Sequence, residues 1–463
     1  MKRSKTSKNA RAREIRIAYI GGGSRGWAHI IMADLTLCGR LTGEMRLYDI
    51  DRPMALLNAR WGRRLNQSPA AKSQWKYSAP RTLREALKGA DIVFVSIQPG
   101  PIEMMGCDLD IPRKYGIIHP VGDTVGPAGI CRSLRAVSEY TVIAEAIARY
   151  CPDAWVINYS NPMTILTRTL HKVFPDIKAF GCCHEVFGTQ NAFVKLVNEH
   201  LGVKPKRHEI RLKPAGVNHF VWTTEVEYDG VDLIALYTRH WRRKGMARRI
   251  IDDEIEKMNS FGHHGQVTWD LFRRYGALPT GGERHLTEFV PFYARDEATL
   301  NRWGVKCTPY SYRVNRYREM PQKFRRLLAD PAPFEIKRSD EEGVAQILAL
   351  LGMGDLRTNV NLPNVGQIEG LPRGAVVETN AYFTRDSVQP EFYGRLPAGI
   401  EALVARAVSN QEIIVEAALN RDKHLAFQAV LNDSLMSLST DTAWKMFREM
   451  LKATQACLPG WKI

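Results

Sequence analysis

Ile15-Arg16-Ile17-Ala18-Tyr19-Ile20 runs straight into Gly21-Gly22-Gly23-Ser24-Arg25-Gly26. An apolar run of strand length followed by clustered glycines predicts a buried strand turning tightly into a helix. Gly21, Gly23 and Gly26 match G-x-G-x-x-G, in which glycine lets the backbone approach a pyrophosphate at a helix N-terminus. Met45–Tyr48 reads as the second strand. Asp49 follows it, where a carboxylate takes the ribose diol of NAD and disfavours NADP. The stretch therefore predicts a dinucleotide loop of Gly21, Gly23 and Ser24, completed by Asp49.

Outward from that loop, short apolar runs alternate with helical stretches. Asp91–Ile97, Trp155–Tyr159 and Lys178–Cys182 read as further strands of a parallel sheet covered on both faces. Asn161-Pro162 signals a helix start with proline at its first position. After residue 200 the pattern changes. Ile210–Leu212 and Val221–Val226 predict strands of a separate antiparallel sheet, Ala375–Phe383 another strand, and Met246–Met258, Ile400–Asn432 and Asp441–Ala453 helices. The expected fold is α/β: a disordered basic tail over 1–14, a Rossmann-like doubly wound domain over 15–200, and an α+β domain over 201–463 for substrate, metal and oligomer contacts.

At 463 residues the chain has room for two cores, and 44% hydrophobic with 25% charged residues is ordinary for a globular protein. No apolar run reaches the roughly 18 residues a membrane span needs. The basic start lacks the apolar stretch of a secretory signal. The net charge of +16 is partly in the tail and partly in Trp241-Arg242-Arg243-Lys244 with Arg248 and Arg249. No nucleic-acid motif accompanies it, and an anionic small substrate explains the surplus as well. Eight cysteines in so long a chain do not form a small-scaffold disulfide pattern, so reduced thiols and a cytoplasmic location are expected.

Gly181-Cys182-Cys183-His184, taken with Asn218-His219, offers thiolate and imidazole to a divalent transition metal. Cys183 and His219 are the candidate ligands. Cys182, one position earlier on a strand, should face the other way. His184 reads as a third ligand or an acid–base group. The run from Arg273-Arg274-Tyr275-Gly276 to Gly281-Gly282-Glu283-Arg284-His285 concentrates titratable groups in a glycine-rich loop, as acid–base chemistry requires.

These segments together resemble the NAD- and manganese-dependent glycoside hydrolases of family four, closest to the α-galacturonidase branch. The resemblance is carried by the glycine loop, Asn158-Tyr159-Ser160-Asn161-Pro162, Cys183-His184-Glu185, Gly216-Val217-Asn218-His219 and Gly282-Glu283-Arg284-His285. Gly122-Asp123-Thr124-Val125-Gly126-Pro127 is similar to that family's Gln-Glu-Thr-x-Gly-Pro, with Gly for Gln and Asp for Glu. Asn364-Val365-Gly366 and Val376-Val377-Glu378 resemble its C-terminal motifs. The resemblance implies Mn²⁺ on Cys183 and His219, with the sugar bound by Asn161, Asp123 and Arg284. It puts Glu283 where an aspartate base is expected, with Tyr275 as the alternative. The implied route is oxidation at C3 by NAD, deprotonation at C2, elimination and water addition, an exception to the two-carboxylate scheme. Arg132, Arg135, Arg273, Arg274 and Arg284 are candidates to pair a uronate carboxylate. A homo-oligomer acting on a small glycoside is expected. The other sugars of the family and a plain NAD-dependent dehydrogenase are the alternatives.

Overall fold

The computed structural model describes residues 12–245, 264–332 and 334–463. Strands β1 (Arg13–Ile20), β2 (Leu41–Tyr48), β3 (Trp75–Ser78), β4 (Ile92–Val95), β5 (Trp155–Asn158) and β6 (Lys178–Gly181) lie in the order β3-β2-β1-β4-β5-β6. Every neighbouring pair is parallel. This is the doubly wound arrangement, which leaves a ligand crevice beyond the carboxyl ends of the strands. Arg13 and Glu14 already pair with Leu41 and Thr42. The strand thus begins before Ile15, and the tail expected over 1–14 overruns it; residues 1–11 lie outside the described residues.

Both faces of the sheet are covered, which is why its strands read as unbroken apolar runs. Tyr19, Phe94, Ile157 and Phe180 meet Ile31 and Leu35 of the helix Trp27–Cys38 on one face. Ala18, Val93, Val95 and Val156 meet Tyr140, Ile143 and Ile147 of the helix Gly126–Tyr150 on the other. Each fully buried Val, Leu, Ile or Phe among them stabilises the fold by about 1.5–3 kcal/mol.

The expected separate antiparallel sheet is not formed. Strands β7 (Arg211–Val217), β8 (Phe220–Tyr228), Leu278–Pro279, Leu356–Pro363 and Val376–Thr384 extend the first sheet. The join is one residue pair, Asn361 opposite Gly181. A Cβ at Gly181 would lie 2.7 Å from Met163 Cγ and 3.0 Å from Asn361 Cβ, so only glycine admits the incoming strand. The expected helical stretch 400–432 divides at Arg421 (φ 56°) into Ala398–Asn420 and Lys423–Asn432. These two helices and Thr440–Ala453 pack on the helix Gly126–Tyr150 and brace the loop in front of it. The helix expected over Met246–Met258 lies outside the described residues, as do Arg248 and Arg249. Among the described residues no helix is long and apolar enough to cross a membrane, and all eight cysteines are free.

Candidate active site

The loops after β1, β5 and β6 share the carboxyl edge of the sheet. After β1, Gly21 and Gly22 donate to Tyr48 O at 2.9 and 2.7 Å, folding the loop flat against the end of β2. Gly21 has φ 91°, and a Cβ there would sit 2.0 Å from Ser96 O. Gly23 N donates to Asp49 Oδ2 at 2.7 Å, and Asp51 N donates to Oδ1 at 2.8 Å. Asp49 is thereby fixed at the loop, with burial raising its carboxyl pKa. Asn58 Nδ2 donates to Gly22 O and Ser24 O, and Ser24 Oγ accepts from Gly26 N and Ala28 N. The helix begins after Gly26, around which a Cβ would meet nothing within 4 Å, and its first turn carries no acid. Space and a positive helix end fit a pyrophosphate, with Asp49 beside it for a ribose.

Asp123, His219 and His285 bring a carboxylate oxygen and two ring nitrogens within 4.8 Å of one another. His219 is at the tip of the two-residue hairpin between β7 and β8 and has φ 67°, a strained conformation for a residue with a side chain. Gly281 makes room for it, since a Cβ there would lie 2.3 Å from His219 O. The His219 and His285 rings stack with centroids 3.7 Å apart. Thr124 Oγ1 donates to Asp123 Oδ1 at 2.8 Å and lies 2.8 Å from His219 Nδ1. Its single proton goes to the carboxylate, so Nδ1 must donate to the hydroxyl oxygen, leaving the Nε2 lone pair for a ligand. One carboxylate and two imidazoles form a donor set suited to a borderline divalent ion such as Mn²⁺. Burial raises the Asp123 carboxyl pKa, but His285, Arg313, His219 and Arg132 outweigh it and hold the group well below the usual range. Burial pushes His285 down to about 4.

Asp123, expected to touch substrate, thus stands among the candidate metal ligands instead. Cys183 is outside this trio but adjacent to it. Its thiol is buried against Asn218, the residue before His219, and burial raises its pKa well above normal. Cys182 faces the other way, into the core, where Gln346 Nε2 lies 3.4 Å from its sulfur. Below the hairpin, Glu378 accepts from Asn218, Asn359 and Asn361. His184 is also outside the trio. Half-exposed, it has Nδ1 3.4 Å from Glu341 and its ring 5.4 Å from Trp27. Asn161 keeps a buried Oδ1 with no protein partner, as a residue reserved for a sugar hydroxyl would. Pro162 is the N-cap of the helix Met163–Val173, one place earlier than expected.

The two expected bases stand at opposite ends of one helix. Glu283 accepts from Gly265 N at 3.0 Å and Thr268 N at 2.8 Å, which makes it the cap of the helix Gln266–Tyr275. Tyr275 closes the other end of that helix, roughly 15 Å away at 1.5 Å per residue. Its ring packs edge-on against Trp222.

The arginines also divide. Arg135 makes a buried two-pronged pair with Asp108, and Arg273 and Arg274 both pair with Asp270. Arg132 reaches the site, donating from Nε to Asn161 O at 3.0 Å. Arg284 binds Thr308. Sequence reading passed over Arg313, whose Nη1 is 3.9 Å from Asp123. It also passed over Thr124 and His285, although both stand inside segments that it singled out.

Comparison with known proteins bears on this geometry. The model described as family 4 glycosyl hydrolase matches residues 16–199, and that of its C-terminal domain residues 214–436. An alpha-galacturonidase of Thermoanaerobacterium saccharolyticum is 46% identical over 459 residues, covering 98% of this chain and 99% of the relative. An alpha-galacturonidase of Bacillus subtilis is 45% identical over 440 residues, covering 95% and 97%. A solved 6-phospho-alpha-glucosidase from gut microorganisms, in complex with NAD and Mn²⁺, shares the fold with a TM-score of 0.82. It is 20% identical, with 97% of this chain and 100% of that one covered.

Proposed function

Since this chain belongs to the family 4 glycosyl hydrolases, we propose that it cleaves α-galacturonides by elimination and addition, using NAD and Mn²⁺. The observation that carries this reading is the Thr124 hydroxyl, which ties Asp123 and His219 together and aims a free imidazole nitrogen beside His285. The loop Gly21–Gly26 with Asp49 would hold the dinucleotide, and Asp123, His219 and His285 the ion, with Cys183 adjacent. When bound, the two groups supply oxidation at the sugar C3 and polarisation of the resulting carbonyl, which acidifies C2–H.

The protein's own residues do the rest. Asn161 Oδ1 accepts a sugar hydroxyl. Glu341 faces His184 Nδ1, leaving Nε2 to take the C2 proton; partial desolvation lowers the His184 pKa, which favours the neutral ring a base needs. Glu283 and Tyr275 take no part in this assignment. Sugar identity rests on the two galacturonidases at 45–46% identity and on Arg132 and Arg284 in the site. A panel of aryl α-glycosides, including galacturonide, galactoside and glucuronide, with and without NAD⁺ and Mn²⁺, tests the reading. Galacturonide cleavage that needs both additions is expected. Activity surviving removal of both would sink it.

A further inference from the structure

Three arginines from three separate helices converge around Asp123. Arg132 comes from Gly126–Tyr150, Arg284 from Glu283–Phe289 and Arg313 from Tyr310–Ala329. The last helix lies across the whole crevice. Tyr317, four residues on from Arg313 and so on the same face, stacks on Arg25 of the nucleotide loop at 3.4 Å. Arg313 itself hangs over the candidate metal ligands.

Neither Arg132 nor Arg313 is saturated. A guanidinium carries five N–H donors. Arg132 spends Nε on Asn161 O and Nη2 on Gln98, and its buried Nη1 has no partner. Arg313 donates from Nη2 to Val121 O at 3.3 Å, and its buried Nε has no partner. A residue whose purpose was to pair Asp123 would close on it in a two-pronged fork near 2.8 Å. Arg313 stops at 3.9 Å. Asp123 faces the guanidiniums of Arg313 and Arg132, and Glu185 lies beside it, 3.4 Å from His285. Arg132, Arg284 and Arg313 thus gather around two carboxylates, Asp123 and Glu185.

We propose that Arg313, with Arg132 and Arg284, is the clamp that receives the C6 carboxylate of the sugar and so selects uronides over neutral hexosides. This rests on the galacturonide reading above and adds the residue that would enforce it. A 6-phosphate shares the anionic chemistry, so the test must separate the two.

The test compares wild type, Arg313→Gln and Arg313→Lys on aryl α-galacturonide, α-galactoside and 6-phospho-α-galactoside, at saturating NAD⁺ and Mn²⁺. Loss of charge-assisted bonds to the carboxylate should lower kcat/KM for the galacturonide about 30-fold or more in the Gln variant, chiefly through KM. Lysine, lacking the fork, should restore part of it. Galactoside turnover and Mn²⁺ affinity, read by electron paramagnetic resonance, should stay within about threefold, well under the tenfold of a single 1.4 kcal/mol contact. An equal fall on galactoside, or a matching loss of Mn²⁺ affinity, would show that Arg313 only supports Asp123 and would overturn the proposal. A wild-type preference for the 6-phosphogalactoside overturns the carboxylate assignment. Should the wild type cleave none of the three, the functional reading fails by itself. Calorimetric binding of free galacturonate then still decides the arginine: supported if the Gln variant binds more weakly, refuted if it binds as well as wild type.

Discussion

Thr124→Val keeps the shape of a fully buried side chain and removes one hydroxyl. That hydroxyl makes two contacts of 2.8 Å, to Asp123 Oδ1 and to His219 Nδ1. Its loss frees Asp123 to rotate and frees His219 to adopt the tautomer that carries a proton on Nε2, the atom needed for the metal. Removing one outer partner of a metal ligand costs about 10–100-fold in affinity. Here a single group positions two ligands, so the upper end is expected, about 100-fold or about 2.7 kcal/mol. The assay is titration of metal-free protein with Mn²⁺, following the free ion by electron paramagnetic resonance. Thr124→Ser, which retains the hydroxyl, should bind within a few-fold of wild type. The reasoning is refuted if the valine variant binds Mn²⁺ as tightly as wild type while the protein remains folded.

Three further outcomes are expected. Glu283→Gln should keep activity within a few-fold while lowering stability by about 1–2 kcal/mol, as loss of a helix cap does; a fall of about 100-fold or more in kcat would restore it as the base. Asp108→Ala strands the buried Arg135 guanidinium and should cost about 3–5 kcal/mol in urea unfolding, and a cost under about 1 kcal/mol would contradict the pairing. His119 is buried with its pKa pushed down to about 3, so its neutral form is required in the folded state. Its contribution is complete above the unfolded value of 6.5 and is lost as pH falls, amounting to about 2 kcal/mol at pH 5. His119→Gln should therefore show a shallower stability loss between pH 7 and pH 5 than wild type, and equal slopes would refute this.

The nucleotide half was legible because its physics is local. A strand buried on both faces has to be apolar throughout, and Gly21 has to be glycine at φ 91° against Ser96. The joining of both halves into one sheet was hidden, since it depends on a single pairing between Asn361 and Gly181. His219 was identifiable from its motif, but its grouping with Asp123 and His285 was not; the link through Thr124 spans 95 residues. Glu283 was ambiguous because a carboxylate in a glycine-rich charged loop looks the same whether it meets a sugar or two backbone amides. Arg313 went unnoticed for the opposite reason. In a helix rich in arginine it reads as part of a solvated face, and only the path of that helix over the crevice sets it apart.

The central claim is that the sugar C2–H bond is broken and remade during cleavage. Hydrolysis of an aryl α-galacturonide in D₂O, with NAD⁺ and Mn²⁺ present, tests it most directly through the proton spectrum of the released galacturonate. The account predicts deuterium at C2 with no accumulation of NADH. Galacturonate that retains only hydrogen at C2 would contradict it.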